Sequence, residues 1–265
     1  MQKKILLLLL FNFFFGALAF SQKCDCEKYN TFIELAKKEN AVKNYKEANK
    51  LFKQAFENTD FALGTDLNLA LKVADQTEDK IWMEQIAIKL AKGGIPLLFF
   101  KKFENYKWYK QFNEQFPEYQ KLYNANFDLN FKADLIDLEK FDKEINTHYH
   151  QWRTKEHDYA IEILVSEMKA VSLRFQNMVE KYGFPTERKV GYNYVRKNIE
   201  DLPTAILLTH IYQRGELLYK DQLKELVCNG NLSPGYAQQL QTVRGFGNST
   251  GIEQEMEVRK LKYRK

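Results

Sequence analysis

The chain has 265 residues, 45% of them hydrophobic and 14% aromatic, which is enough to fill sizeable cores and argues against global disorder. With only 12 glycines and 5 prolines it is too poor in turn formers for a β-sandwich, a collagen-like chain or a Gly/Pro linker protein. The net charge of +5 is modest, and five basic residues crowd the last seven positions, Arg259 to Lys265. A basic tail without a basic face does not describe a nucleic-acid binder.

The N-terminus reads as an export leader. Lys3 and Lys4 precede an apolar run from Ile5 to Phe20 that only Asn12 and Gly16 interrupt, and Ala17, Ala19 and Ser21 are the small residues a signal peptidase reads. The run is short for a spanning helix, which needs about 20 residues. Residues 1–21 are therefore expected to be removed after Ser21, leaving an exported, periplasmic or secreted chain without stable membrane insertion. Gln22-Lys23 before Cys24 does not fit a lipid-anchor site. In an oxidising compartment Cys24 or Cys26 can bridge Cys228, or one thiol stays free or pairs with another chain. The Cys-Asp-Cys pair is too small for a structural zinc site, so neither metal nor cofactor is expected.

Residues 22–63 and 118–182 contain no glycine or proline and read as long helices, whereas residues 183–265 hold eight glycines and three prolines. Tyr29, Phe32, Ile33 and Ala36 follow helical spacing, as do Tyr45, Ala48, Phe52 and Ala55. A second pair of stripes is Leu67, Ala70, Leu71 and Ala74, then Met83, Ile86, Ala87 and Leu90, with Thr77 placed to cap the latter and Gly93-Gly94 to stop it. A third pair is expected from Phe103 to Asn113 and from Pro117 to Ala125, with Pro117 at the first helical position. Further on, two long helices fill 130–182, and shorter ones run from Thr204 to Arg214, from Leu217 to Cys228, and from Ser233-Pro234 to about Arg244. No run alternates with period two, so the chain is expected to be all-α.

Asn44-Tyr45-Lys46-Glu47-Ala48, followed by Phe52 and Ala55, resembles the second half of a tetratricopeptide repeat, and Phe32, Leu35 and Ala36 fit its first helix. The resemblance covers about residues 29–62 and weakens towards 125. It implies a short N-terminal α-solenoid of helical hairpins over residues 22–125, followed by a C-terminal helical domain over 126–265. Within the latter, Lys181-Tyr182-Gly183-Phe184-Pro185-Thr186, Val190-Gly191, Thr209-His210 and Asn229-Gly230-Asn231-Leu232 occur in an order that resembles an uncharacterised bacterial domain family across about 130–255. That family shows a Gly-Trp-Pro turn and a Gln-His pair, where this chain has Phe184 and Thr209. Its Asp-Arg pair has no counterpart near Leu240-Gln241, and its terminal Tyr-Gly-Thr-Gln is missing near Gly251. The resemblance marks Gly183, Phe184, Pro185, Thr186, Thr209 and His210 as candidate ligand-binding residues and His210 as the candidate catalytic histidine.

Elsewhere the chemistry is thin. The aromatic-rich stretch from Phe99 to Tyr123 is either a stacking surface or the filling of a helical joint. His150 and His157 could share a helix face, but a zinc site needs a third ligand and Arg153 and Lys155 crowd the region. The Gly245-to-Gly251 loop lacks the lysine of a phosphate loop, and Glu253 with Glu257 is ordinary helix spacing. The expectation is an exported, non-catalytic helical-repeat module that binds a protein or peptide partner in the cell envelope. The alternative is an enzyme or small-ligand binder with a pocket between the Gly183–Gly191 loop and His210.

Overall fold

The structure, a computed structural model, describes residues 26–154, 160–230 and 232–243. The leader, Cys24, His157, the Gly245-to-Gly251 loop, Glu253, Glu257 and the basic tail lie outside the described residues. Within them the chain is almost wholly helical, with twelve α-helices and one two-stranded hairpin.

The first four helices are α1 (Cys26–Ala41), α2 (Tyr45–Glu57), α3 (Gly64–Gln76) and α4 (Lys80–Lys92), arranged as two successive hairpins. Each contributes an apolar stripe to one core, and its contact points are alanines: Ala36, Ala48, Ala55, Ala70, Ala74 and Ala87 have no exposed surface. Small side chains there let the helix backbones approach closely, with Phe52, Leu71 and Ile86 filling the spaces between. Both tight turns use a non-glycine residue in the left-handed region, Lys43 at φ 62° and Glu78 at φ 54°. The cap of α4 is Asp79, whose carboxylate accepts from Trp82 N at 3.3 Å, and not Thr77. Thr77 instead ends α3 and donates its hydroxyl back to Val73 and Ala74. Gly93 stops α4, as the sequence indicates.

After a short α5 (Leu97–Phe100), the expected third helix pair is a single helix, α6 (Lys107–Asn126), with Pro117 inside it. An interior proline removes one helical hydrogen bond. Here Trp108, Phe112, Phe116 and Tyr119, on both sides of it, are buried in the same core, and that shared burial keeps the axis continuous. The aromatic-rich stretch is thus core: Phe100 stacks edge-on against Phe112, and Phe112 against Phe116.

The long helices α7 (Leu129–Thr154) and α8 (Ile161–Tyr182) pack together and open a second core. It is completed by α9 (Glu187–Val190), α10 (Thr204–Gln213), α11 (Leu223–Cys228) and α12 (Pro234–Thr242). The helix expected from Leu217 begins only at Leu223, because Tyr219 sits at φ 59° and cannot belong to a right-handed helix. Ser233 caps α12 through Tyr236 N, with Pro234 in the first turn. Between α9 and α10 lies the hairpin, β1 (Asn193–Val195) and β2 (Asn198–Glu200), paired antiparallel with Tyr194 opposite Ile199. Arg196 and Lys197 form its turn at φ 49° and 68°, the two positions where Asn-Gly would announce a hairpin.

The two cores are stitched by this segment. Tyr192 and Ile199 belong to the first core although they lie within the stretch of sequence that builds the second. A Cβ on Gly93 would stand 2.3 Å from the Tyr192 ring, and one on Gly64 2.7 Å, so these two glycines make room for the aromatic. A disulfide joins Cys26, at the start of α1, to Cys228, at the end of α11. Among the described residues no helix is long and apolar enough to cross a membrane.

Candidate functional site

The residues singled out in the sequence take different local roles. Gly183 ends α8 at φ 75°, and Phe184 packs edge-on against Phe175 and Tyr219. Thr186 caps α9 by accepting from Lys189 N at 3.2 Å, and Pro185 is buried beside it. Thr209 is buried and donates to Ala205 O. His210 follows on α10, but its hydrogen-bonding partners lie on α7 rather than on the 183–186 turn.

His210 belongs to a buried polar cluster that the sequence reading missed. Asp142 and Asn146 stand four apart on α7, and His210 and Arg214 four apart at the end of α10, so each pair shares a helix face. His210 Nδ1 lies 2.5 Å from Asp142 Oδ2 and 2.7 Å from Asn146 Nδ2. Arg214 Nη2 lies 2.7 Å from Asp142 Oδ1 and donates to Asn146 Oδ1 at 2.7 Å. Asp142 is 1% and Arg214 7% exposed, so the carboxylate and guanidinium neutralise each other out of water. Among the described residues no serine, threonine or cysteine hydroxyl or thiol bonds His210. The arrangement clamps α10 to α7 and orients the imidazole. The sequence signal was the repeated spacing of four, Asp-x3-Asn and His-x3-Arg, hidden among ordinary helix-surface polar residues.

A second buried group sits where the two cores meet. Glu187 is 4% exposed, and its Oε2 accepts from Gly64 N, at the start of α3, at 2.7 Å. Burial pushes its carboxyl up to about 8, reinforced by the nearby charges of Asp201 and Asp66. Asp201 is shifted upward as well, mainly by burial. Asp66 accepts from Tyr29 Oη at 2.8 Å and pairs with Lys37 at 3.1 Å. Lys132 donates to Tyr192 O and Tyr123 Oη, and burial lowers its ammonium pKa to about 8. Among the described residues no group of three or more His, Cys, Asp and Glu side chains is arranged to hold a metal ion.

Above this junction the surface is concave. One depression of about 420 Å³ is lined by Phe56, the 59–62 segment, Lys89, Lys92, Gly93, Leu122, Asn126, Phe127 and Tyr192. A second, of about 240 Å³, shares Thr59, Asp60 and Phe61 with it and extends past Arg188 to Tyr29, Cys26 and Cys228. The shared segment is held from below and from the side. Tyr192 Oη donates to Ala62 O, and Arg188 grips Asp60 through both terminal nitrogens at 2.6 Å. That pairing, chiefly the Arg188 hydrogen bond, lowers the Asp60 carboxyl pKa. The larger depression is of ligand-binding size, with mainly apolar and aromatic walls and a few polar groups.

Fold and surface together define a helical-hairpin protein with two adjoining depressions on either side of the 59–61 segment. No protein-family model, curated protein or solved structure matches the chain.

Proposed function

We propose that the chain is an exported, tetratricopeptide-like binding module that holds a protein or peptide partner in the cell envelope. The groove carries this reading: two depressions adjoin across Thr59, Asp60 and Phe61, giving an elongated recess suited to an extended segment. Its walls come from rigid helix ends and a loop fixed by Tyr192 and Arg188, so a segment binding there pays little to order the receptor. Export is supported by the leader-like N-terminus and by the Cys26–Cys228 disulfide, which persists in oxidising compartments. The successive hairpins α1–α2 and α3–α4, closed on alanines, support the repeat-like reading.

The test is selection of a displayed random-peptide library on the purified chain, followed by calorimetric titration of an enriched peptide. Leu122 is 43% exposed at the groove wall, so Leu122→Asp should leave the fold intact while weakening that peptide about tenfold or more. Absence of any enriched peptide, or binding indifferent to Leu122→Asp and to Asn30→Arg in the second depression, would overturn the proposal.

A further inference from the structure

The larger depression has a charge bias that its own residues do not balance. Lys89 and Lys92 stand on its wall in the last turn of α4. Neither makes an ion pair or hydrogen bond among the described residues. Lys89 lies 6.0 Å over the ring of Phe56, which lines the depression, and Lys92 lies 5.7 Å over the Tyr119 ring. The one acid in the lining, Asp60, is already gripped by Arg188. Arg188, the cation lining the second depression, is by contrast paired with Asp60.

A helix C-terminus favours a nearby cation, which accounts for a lysine in the last turn. It does not account for the surroundings of Lys89, whose side chain is exposed yet lies close enough to the apolar wall that partial desolvation lowers its ammonium pKa, with no carboxylate to offset it. Beside the two ammonium groups the floor is apolar, formed by Phe61, Phe127 and Tyr192. Resting on the binding reading above, we infer that the partner segment is acidic, with a carboxylate seated at Lys89 and Lys92 and a neighbouring large apolar side chain on that floor. Complementary charge fixes the register of the segment, and the apolar side chain supplies most of the buried area.

The probe is 3-phenylpropionate, compared with its uncharged amide, titrated into the full chain and followed by NMR. The acid should perturb residues 59–62, 89–93 and 122–127 and bind about three- to fivefold more tightly than the amide, the scale of one partly desolvated ion pair. Added salt should erode that preference. In the Lys89→Gln/Lys92→Gln double variant the preference should vanish while amide binding stays. Equal binding of acid and amide, a preference that survives the double substitution, or shifts confined to other surfaces would overturn the inference. Peptides selected on the groove separate the two proposals. Groove-bound peptides without an acidic residue sink the carboxylate seat and leave the binding module standing, and failure to select any sinks both.

Discussion

The two cores are built on different principles. The first, from α1 to α6, is alanine contacts and aromatic rings, and the buried polar side chains it supplies are Asn49 and Asp66. The second and the segment that stitches it to the first bury Asp142, Ser172, Glu187, Asn193, Thr204 and Arg214. An apolar core tolerates small errors of orientation, because dispersion and water exclusion carry little directionality. A buried carboxylate or guanidinium does not, since each must meet its partner or bear the cost of desolvation. The N-terminal half should therefore fail gradually under substitution, and the C-terminal half abruptly at a few positions.

The sharpest break should come at the α7–α10 clamp. Asp142→Ala leaves the Arg214 guanidinium buried without a carboxylate, and chemical denaturation should show a loss of about 3–5 kcal/mol. Asp142→Leu combined with Arg214→Met should recover most of that stability, because the cost lies in the orphaned charge. A small effect of Asp142→Ala would mean that the cluster is hydrated and the contrast between the cores is false.

Next is the covalent link between the two halves. Cys228→Ser opens a loop spanning a sequence separation of 202 residues and should cost about 2–5 kcal/mol, measured by urea unfolding. If the halves unfold together in the native chain, the variant should show whether the second core melts first. A single transition with an unchanged midpoint would count against the disulfide as a stabilising tie.

The junction should respond to pH. Glu187 has a folded pKa near 8, above the ordinary carboxyl range, so the native state holds its proton more tightly than the unfolded chain does. Stability should then fall as pH rises from about 4.5 to about 8, by on the order of 2–4 kcal/mol, and Asp201 adds in the same direction. Lys132 is lowered to about 8, so above that pH the unfolded state binds the extra proton and stability should recover towards pH 10. Glu187→Gln keeps an acceptor for Gly64 N and should flatten the fall between pH 5 and 8. A pH profile of thermal unfolding that is the same in both proteins would exclude Glu187 as its source.

The smallest expected effect lies in the first core. Ala48→Trp forces a large ring into a position with no exposed surface and should destabilise by about 1–3 kcal/mol. Unchanged unfolding would mean that α1 and α2 separate easily enough to admit the ring, contrary to the close approach their alanines allow.

The helical character, the ends of α4 and α8, the capping of α12 and the apolar stripes of α1 to α4 follow from local rules: periodicity, glycine stops and a Ser-Pro start. Those rules work because each reports on a few neighbouring residues. They fail where distant residues set the outcome. Pro117 reads as a helix start, yet aromatic burial on both sides carries one helix through it. Arg196-Lys197 carries no hairpin signal, yet Tyr192 and Ile199, anchored in the first core, bring β1 and β2 together. His210 was legible as an unusual residue, but its partners Asp142 and Asn146 lie 68 and 64 positions away. The groove was not legible at all, because its walls come from Phe61, Lys89, Leu122 and Tyr192, four segments far apart in sequence that become neighbours only in the folded chain. Local sequence determines which backbone each segment adopts, since hydrogen bonds and side-chain periodicity act within a few residues. Tertiary packing alone decides which charges share an interior and which surfaces meet, because burial and Coulomb interaction depend on distance in space.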